Sequence, residues 1–172
     1  ESDISQAFPI LEKMGLQAAA VTSPLKKWAS QFSDTKSSAV EDLFAANTLT
    51  KMKSGAWKAD NTDIQALNTI AQEFKGRKVL VWGGGGTLQG LRQNFPEALF
   101  YSVQTGANRA SANSTNPTDV ELLIWAAAPD SEPPQFIKKI SYIFDLNYRE
   151  DSAARELALK FDAEYWTGDQ MF

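Results

Sequence analysis

Two hydrophobic rhythms run along the chain, and the change from one to the other falls near Lys75-Gly76. Ile4, Ala7, Phe8, Leu11 and Met14 recur at helical spacing ahead of Gly15, which predicts a helix over 4–14. Leu16 to Thr22 is short, apolar and ends in β-branched residues, which predicts a buried strand. Pro24 suits the first position of a helix running on through 25–32. A further short helix is expected over 39–44. Asn47 to Met52 alternates, Lys53-Ser54-Gly55 turns, and Trp57 to Asp60 returns, which is a hairpin pattern. Ile64, Leu67, Ile70, Ala71 and Phe74 then form one apolar stripe on a helix over 62–74.

Beyond Gly76, continuous apolar runs replace the stripes. Lys78 to Trp82, Ala98 to Val103, Glu121 to Trp125 and Tyr142 to Leu146 read as strands buried on both faces. Helices are expected over 87–94 and 151–161, the second with Ala154, Leu157, Ala158 and Phe161 on one face. Buried strands separated by helices or loops mark a parallel α/β sheet. The expected fold class is therefore α/β, with a smaller α/β portion over 1–74 and a Rossmann-like portion over 75–172. The polar stretch 107–119 reads as a surface loop, at a place where a full Rossmann unit usually carries a helix.

Composition narrows the chemistry. The 172 residues are 43% hydrophobic and 22% charged, ordinary for a globular chain with a real core. A net charge of −4 argues against nucleic acid as the main partner, which would need clustered lysine and arginine. No run reaches the roughly 18–20 apolar residues of a membrane span, so no membrane partner and a cytoplasmic location are expected. With no cysteine and no histidine, triad mechanisms and most transition-metal sites are excluded, and no metal is expected. Proton transfer near neutral pH then falls to Lys, Asp, Glu or Tyr.

Three groups of residues could carry such chemistry. Gly83 to Gly86, followed by Thr87, sits between a strand and a helix, where glycines let backbone N–H groups approach a pyrophosphate. A tight connection with no ligand is the alternative reading of those residues. The next strand ends in Val103-Gln104-Thr105, with no acid to pair with the ribose hydroxyls of NAD, which leans toward NADP. Lys26 falls in the first turn of a helix, where the positive end of the helix and partial burial favour a neutral amine fit for proton exchange. It also reads as an ordinary surface lysine beside Lys27. Asp63 opens the next long helix, as a capping residue or as the partner of that lysine.

The order of these groups is more specific than any one of them. Val21-Thr22-Ser23-Pro24-Leu25-Lys26, Ala45-Ala46-Asn47-Thr48, Asn61-Thr62-Asp63, Gly83 to Gly86, Asp145-Leu146-Asn147-Tyr148 and Gly168 to Met171 follow one another along nearly the whole chain. In that order they resemble the shikimate dehydrogenase family, whose pattern runs V-T-x-P-x-K, A-x-N-T, N-T-D, G-x-G-G, D-x-x-Y and G-x-x-M.

The resemblance implies reversible, NADP-dependent reduction of 3-dehydroshikimate to shikimate in aromatic amino-acid biosynthesis, with NAD not excluded. It implies Lys26 and Asp63 as the catalytic pair and Thr22, Asn47, Asp63 and Tyr148 as contacts to the substrate. It assigns Gly83, Gly85, Gly86 and Thr87 to the phosphate loop, Gln104 and Thr105 to the 2′-phosphate, and Leu146 and Gly168 to the nicotinamide. Residues 1–74 become a partial substrate-binding domain, and the C-terminal end of 75–172 returns to it. The chain departs from the pattern as well. Nothing before Lys26 matches the family's Ser-x-Ser element, which leaves open membership of a longer polypeptide, a homodimer, or a truncated relative that binds without turnover. The family's Asn-Arg-Thr reads Val103-Gln104-Thr105, so the phosphate-binding arginine is missing unless Arg109 substitutes.

Overall fold

A computed structural model describes residues 2–22, 24–84, 87–109, 116–147 and 149–168. The chain divides into two compact units, 1–65 and 66–172.

The first unit contains α1 (Ser2–Lys13), β1 (Ala18–Ala20), α2 (Lys26–Phe32), β2 (Thr35–Lys36), α3 (Ser38–Leu43), β3 (Thr48–Lys51) and β4 (Trp57–Asp60). Its sheet has the order β1-β3-β4-β2. The expected hairpin is there, with β3 and β4 antiparallel and Leu49 opposite Ala59. One apolar core joins Phe8 of α1, Trp28 and Ala29 of α2, Val40 of α3, Leu49 of β3 and Trp57 of β4. Phe8 lies 5.2 Å from the Trp28 ring, 4.6 Å from Phe32 and 5.1 Å from Trp57, edge-to-face in each case. Such aromatic contacts add to the area each ring buries.

The strand expected as buried over 16–22 is corrected. Only Ala18 to Ala20 pair, they pair with β3 alone among the described residues, and Ala18 and Ala20 are exposed. Three alanines on a sheet edge are apolar without having volume to bury. Beneath that edge the ion pair of Glu12 with Lys51 closes on Trp57, whose indole N–H donates to Glu12 Oε1 at 2.7 Å. The Trp57 indole, and after it the Lys51 ammonium, hold the Glu12 carboxyl below its usual range.

Within α4 (Asp63–Glu73) the first unit gives way to the second, which continues through β5 (Val79–Gly83), α5 (Leu88–Asn94), β6 (Leu99–Tyr101), β7 (Asp119–Ala126), β8 (Lys139–Asp145), α6 (Ala153–Phe161) and β9 (Glu164–Thr167). The five strands form one sheet of order β6-β5-β7-β8-β9, with every neighbouring pair parallel. The Rossmann-like parallel sheet read from the apolar runs is therefore present. Its two faces alternate as a sheet covered on both sides requires. Leu80, Trp82, Leu123, Trp125 and Ile143 face α6, while Val79, Val81, Leu122, Ile124 and Phe144 face α4 and α5. On the α6 side, Phe136 and Ile137 of the β7–β8 connection add to the cover, and the Glu132 carbonyl accepts from the Trp82 indole at 3.0 Å. Two short strands, β2 and β9, were not expected from the pattern. Among the described residues no helix is long and apolar enough to cross a membrane.

Candidate functional site

In the first unit the chain turns from β1 into α2 through Thr22, whose carbonyl accepts from Leu25 N–H at 2.8 Å. That turn sets Lys26 as the first residue of α2, and the Lys26 carbonyl in turn accepts from Ala46 N–H at 2.9 Å. The following residue, Asn47, is tied on both sides: its N–H donates to the Asp60 carbonyl and its own carbonyl accepts from Val21 N–H. Asp60 ends β4, and Asn61 and Thr62 lead into α4, which Asp63 opens. Lys26, Asn47 and Asp63 are thus delivered by three separate segments of the chain, joined to one another by these backbone bonds.

Their side chains meet. The Lys26 ammonium donates to Asp63 Oδ2 at 2.7 Å, and Asn47 Nδ2 donates to Asp63 Oδ1 at 2.8 Å. Both carboxylate oxygens are engaged, so the group cannot turn without losing a charge-assisted bond. Asn47 is itself fixed, since its Oδ1 accepts from Thr62 N–H and from the Thr48 hydroxyl, each at 3.0 Å. Lys26 and Asp63 keep 26% and 24% of their side-chain surface exposed, which leaves the pair reachable by a small molecule. Thr22 is exposed at the turn before Lys26. Two neighbours brace the loop. Asn61 is buried and donates to the Ala45 carbonyl at 2.9 Å. Burial works against the Asp60 charge, but the Ser37 hydroxyl, the Asn61 N–H and Lys58 outweigh it and lower the carboxyl.

In the second unit the remaining candidates share one edge. Gly83 closes β5 and Thr87 precedes α5, Gln104 and Thr105 follow β6, Leu146 follows β8, and Gly168 follows β9. Parallel strands all end on the same side, which is why residues so far apart in sequence converge there. The order also reverses at β5: the chain passes to β6 on one side and then to β7 on the other. Such a switch point opens a crevice at the carboxyl ends of the strands.

Gly83 and Gly84, the first residues of the glycine turn, stand at that switch point. Gly83 and Gly84 take φ of 94° and 127°, and Gly84 N–H donates to the Ala126 carbonyl at the end of β7. A Cβ on Gly83 would sit 2.8 Å from the backbone of Ala126 and Ala127, so glycine is required there by the sheet itself. Thr87 donates through its hydroxyl to the Gly84 carbonyl at 2.8 Å and closes the turn. Gln104 and Thr105 are exposed in the turn beyond β6. Leu146 is half-buried and Gly168 buried. Gly85, Gly86 and Tyr148 lie outside the described residues.

The sequence reading passed over Asp145 as a functional group. It is fully buried at the end of β8, and its oxygens accept from Asn147 N–H at 2.9 Å, Asn147 Nδ2 at 2.8 Å and the Tyr165 hydroxyl at 2.9 Å. Burial first, and then this bond to Asp145, push the Tyr165 phenol above its usual range. The signal was available: an acid closing an otherwise apolar strand must have donors waiting for it.

No family model matches the chain. Sequence comparison finds shikimate dehydrogenase (NADP(+)) of Dinoroseobacter shibae 33% identical over 118 residues, covering 65% of this chain and 42% of that protein. The chain thus spans less than half the length of the relatives it matches. Shikimate dehydrogenase from Aquifex aeolicus superimposes with a TM-score of 0.74 at 18% identity, covering 99% of this chain and 73% of that one. The Thermus thermophilus enzyme, solved with NADP(H) and shikimate, gives 0.68 at 23% identity over 91% of this chain and 69% of its own. The fold is that of these structures.

Proposed function

We propose that this chain, a relative of the NADP-dependent shikimate dehydrogenases, carries the residues for reversible reduction of 3-dehydroshikimate to shikimate. The observation that supports this most is the Lys26–Asp63–Asn47 arrangement, an ammonium held at 2.7 Å by a carboxylate whose other oxygen is fixed at 2.8 Å.

The residues on the carboxyl edge of the parallel sheet suit a dinucleotide. A glycine turn lies in the crevice between β5 and β7, and no carboxylate follows β6 to hold a free ribose hydroxyl. Gly83, Gly85, Gly86 and Thr87 would line the phosphates, Gln104 and Thr105 the adenosine ribose, and Leu146 and Gly168 the nicotinamide. NADPH, when bound, supplies the hydride that reaches the carbonyl carbon. Lys26 gives its proton to the carbonyl oxygen as the alcohol forms, and in the reverse direction takes the hydroxyl proton back. Asp63 keeps the ammonium aimed and compensates its charge. Thr22, Asn47 and Tyr148 hold the remaining substrate hydroxyls by hydrogen bonds. Each such contact must be strict, because a site built for a hydroxyl is left with unpaired polar groups by an analogue that lacks one.

NADPH oxidation in the presence of 3-dehydroshikimate tests the reading, with NADP+ binding measured calorimetrically alongside. Turnover by the parent chain is expected. Binding of NADP+ with no turnover would sink the catalytic assignment, and neither binding nor turnover would sink the whole of it.

A further inference from the structure

We propose that Asn147 is a positioning residue: its carboxamide ties the loop after β8 to the end of β7 and so fixes where the nicotinamide lies relative to the phosphates. This rests on the dinucleotide reading given above. Asn147 stands between Leu146 and Tyr148, the residues which that reading puts at the nicotinamide and at the substrate.

The end of β7 supports both the glycine turn and that loop, through three consecutive carbonyls. The Trp125 carbonyl accepts from Leu146 N–H at 3.0 Å, the Ala126 carbonyl from Gly84 N–H at 3.0 Å, and the Ala127 carbonyl from Asn147 Nδ2 at 3.0 Å. Successive carbonyls of a strand point to opposite sides, so Trp125 and Ala127 serve the loop while Ala126 serves the turn. The first two bonds run from backbone to backbone, and any residue except proline could make them. The third comes from a side chain. It lies beyond Trp125 and Asp145, where the pairing of β7 with β8 stops.

Few side chains could make that bond and keep its neighbour. Asn147 Nδ2 meets two acceptors at once, the Ala127 carbonyl and Asp145 Oδ1, the second at 2.8 Å. The carboxamide must therefore present its NH2 group, and both protons are used; a hydroxyl offers one donor, and a methyl none. The acceptor on the β8 side is itself fixed, since Asp145 is fully buried and its other oxygen accepts from the Tyr165 hydroxyl at 2.9 Å. Cutting the side chain away leaves Asp145 with the backbone N–H of residue 147, at 2.9 Å, and with Tyr165. The buried carboxylate stays bonded and the strands stay paired. What is lost is the tie across to Ala127.

Calorimetric titration of the parent chain, Asn147→Ala and Asn147→Ser with NADPH and with 2′-phospho-ADP-ribose, the same molecule without its nicotinamide, tests the assignment. The parent should bind NADPH about tenfold or more tightly than the truncated ligand, the span of one or two hydrogen bonds. Asn147→Ala should lose most of that preference while its affinity for 2′-phospho-ADP-ribose stays unchanged. Asn147→Ser, which keeps one donor, should retain part of it. A full preference in Asn147→Ala would overturn the proposal while leaving the dinucleotide reading intact. So would an equal loss for both ligands, which would make Asn147 a brace for the end of the sheet. A parent that binds the two ligands equally would show that the loop does not hold the nicotinamide, and would also overturn it. A folded parent that binds neither would overturn the dinucleotide reading, and this assignment with it. Should Asn147→Ala fail to fold, the preference of Asn147→Ser decides: a fall supports the assignment and an unchanged value overturns it.

Discussion

Replacing Lys26 by methionine keeps most of the apolar stem of the side chain and removes the ammonium with its donors. What is lost from the fold is one bond, the 2.7 Å contact to Asp63 Oδ2, while Asn47 stays on Oδ1. Each partner is about a quarter exposed, so water screens the pair and can solvate the orphaned carboxylate. Exposed ion pairs contribute up to about 1 kcal/mol, and breaking a fully buried one costs about 3–5 kcal/mol. At this exposure about 1 kcal/mol is the reasonable figure, a fall in melting temperature of roughly 2–4 °C for a chain of this size. The catalytic reading demands far more. A positioned acid or base contributes about 10²–10⁴-fold in rate, equal to roughly 3–5 kcal/mol of barrier. The two effects therefore separate by magnitude. Calorimetric melting and NADPH-coupled turnover on the same preparation should show Lys26→Met folded, slightly less stable and at least about a hundredfold slower. Asp63→Asn should follow with a smaller loss in rate, since its amide still bonds but no longer balances the ammonium. Turnover within a few-fold of the parent, or activity falling only in step with the folded fraction, would refute the reasoning and leave the pair as a helix-to-helix brace.

Two further outcomes concern the fold itself. Gly83→Ala should destabilise the second unit by at least about 2 kcal/mol, because a left-handed φ and a 2.8 Å approach to Ala126 and Ala127 both oppose a Cβ; an unchanged urea midpoint would contradict the packing described. Glu12 is held below its ordinary value in the fold by Trp57 and Lys51, so its contribution is complete above about pH 4.3 and fades as pH falls through the lowered value. Glu12→Gln should therefore narrow the stability difference between neutral and acid solution, and a variant with an acid limb as steep as the parent's would exclude this group from it.

How much of this was readable beforehand depends on the length of the element and the separation of the contact. The strands β5, β7 and β8 are long, apolar and buried on both faces, so their runs stand out with no knowledge of partners. Once they are parallel, the placement of Gly83, Gln104, Leu146 and Gly168 on one edge follows from topology. The Lys26–Asp63 pair joins residues 37 apart, and no periodicity reports a contact of that kind; the ordered blocks Val21–Lys26, Asn47-Thr48 and Asn61–Asp63 carried it. At β1 the pattern misleads, since apolarity does not bring burial where three small side chains line an edge.

Asp145 and β9 are one problem seen from two sides. Glu164-Tyr165-Trp166-Thr167 is short, begins with an acid and starts two residues after the left-handed cap of α6 at Asp162, so nothing in its own period marks a strand. Its conformation comes from pairing with β8, where Asp145 stands opposite Thr167 and Ile143 opposite Tyr165. Yet a carboxylate cannot lie fully buried in an apolar strand unless donors converge on it. Asn147, two residues on, supplies two bonds to one oxygen. The other oxygen needs a donor from elsewhere in the chain, and the Tyr165 hydroxyl provides it at 2.9 Å. An acid that ends a run expected to be buried on both faces therefore reports a missing neighbour. Here that neighbour is the strand the hydrophobic pattern could not show: its Tyr165 fixes the Asp145 carboxylate, which together with the Trp125 and Ala127 carbonyls holds Leu146 and Asn147 at the carboxyl edge of the sheet.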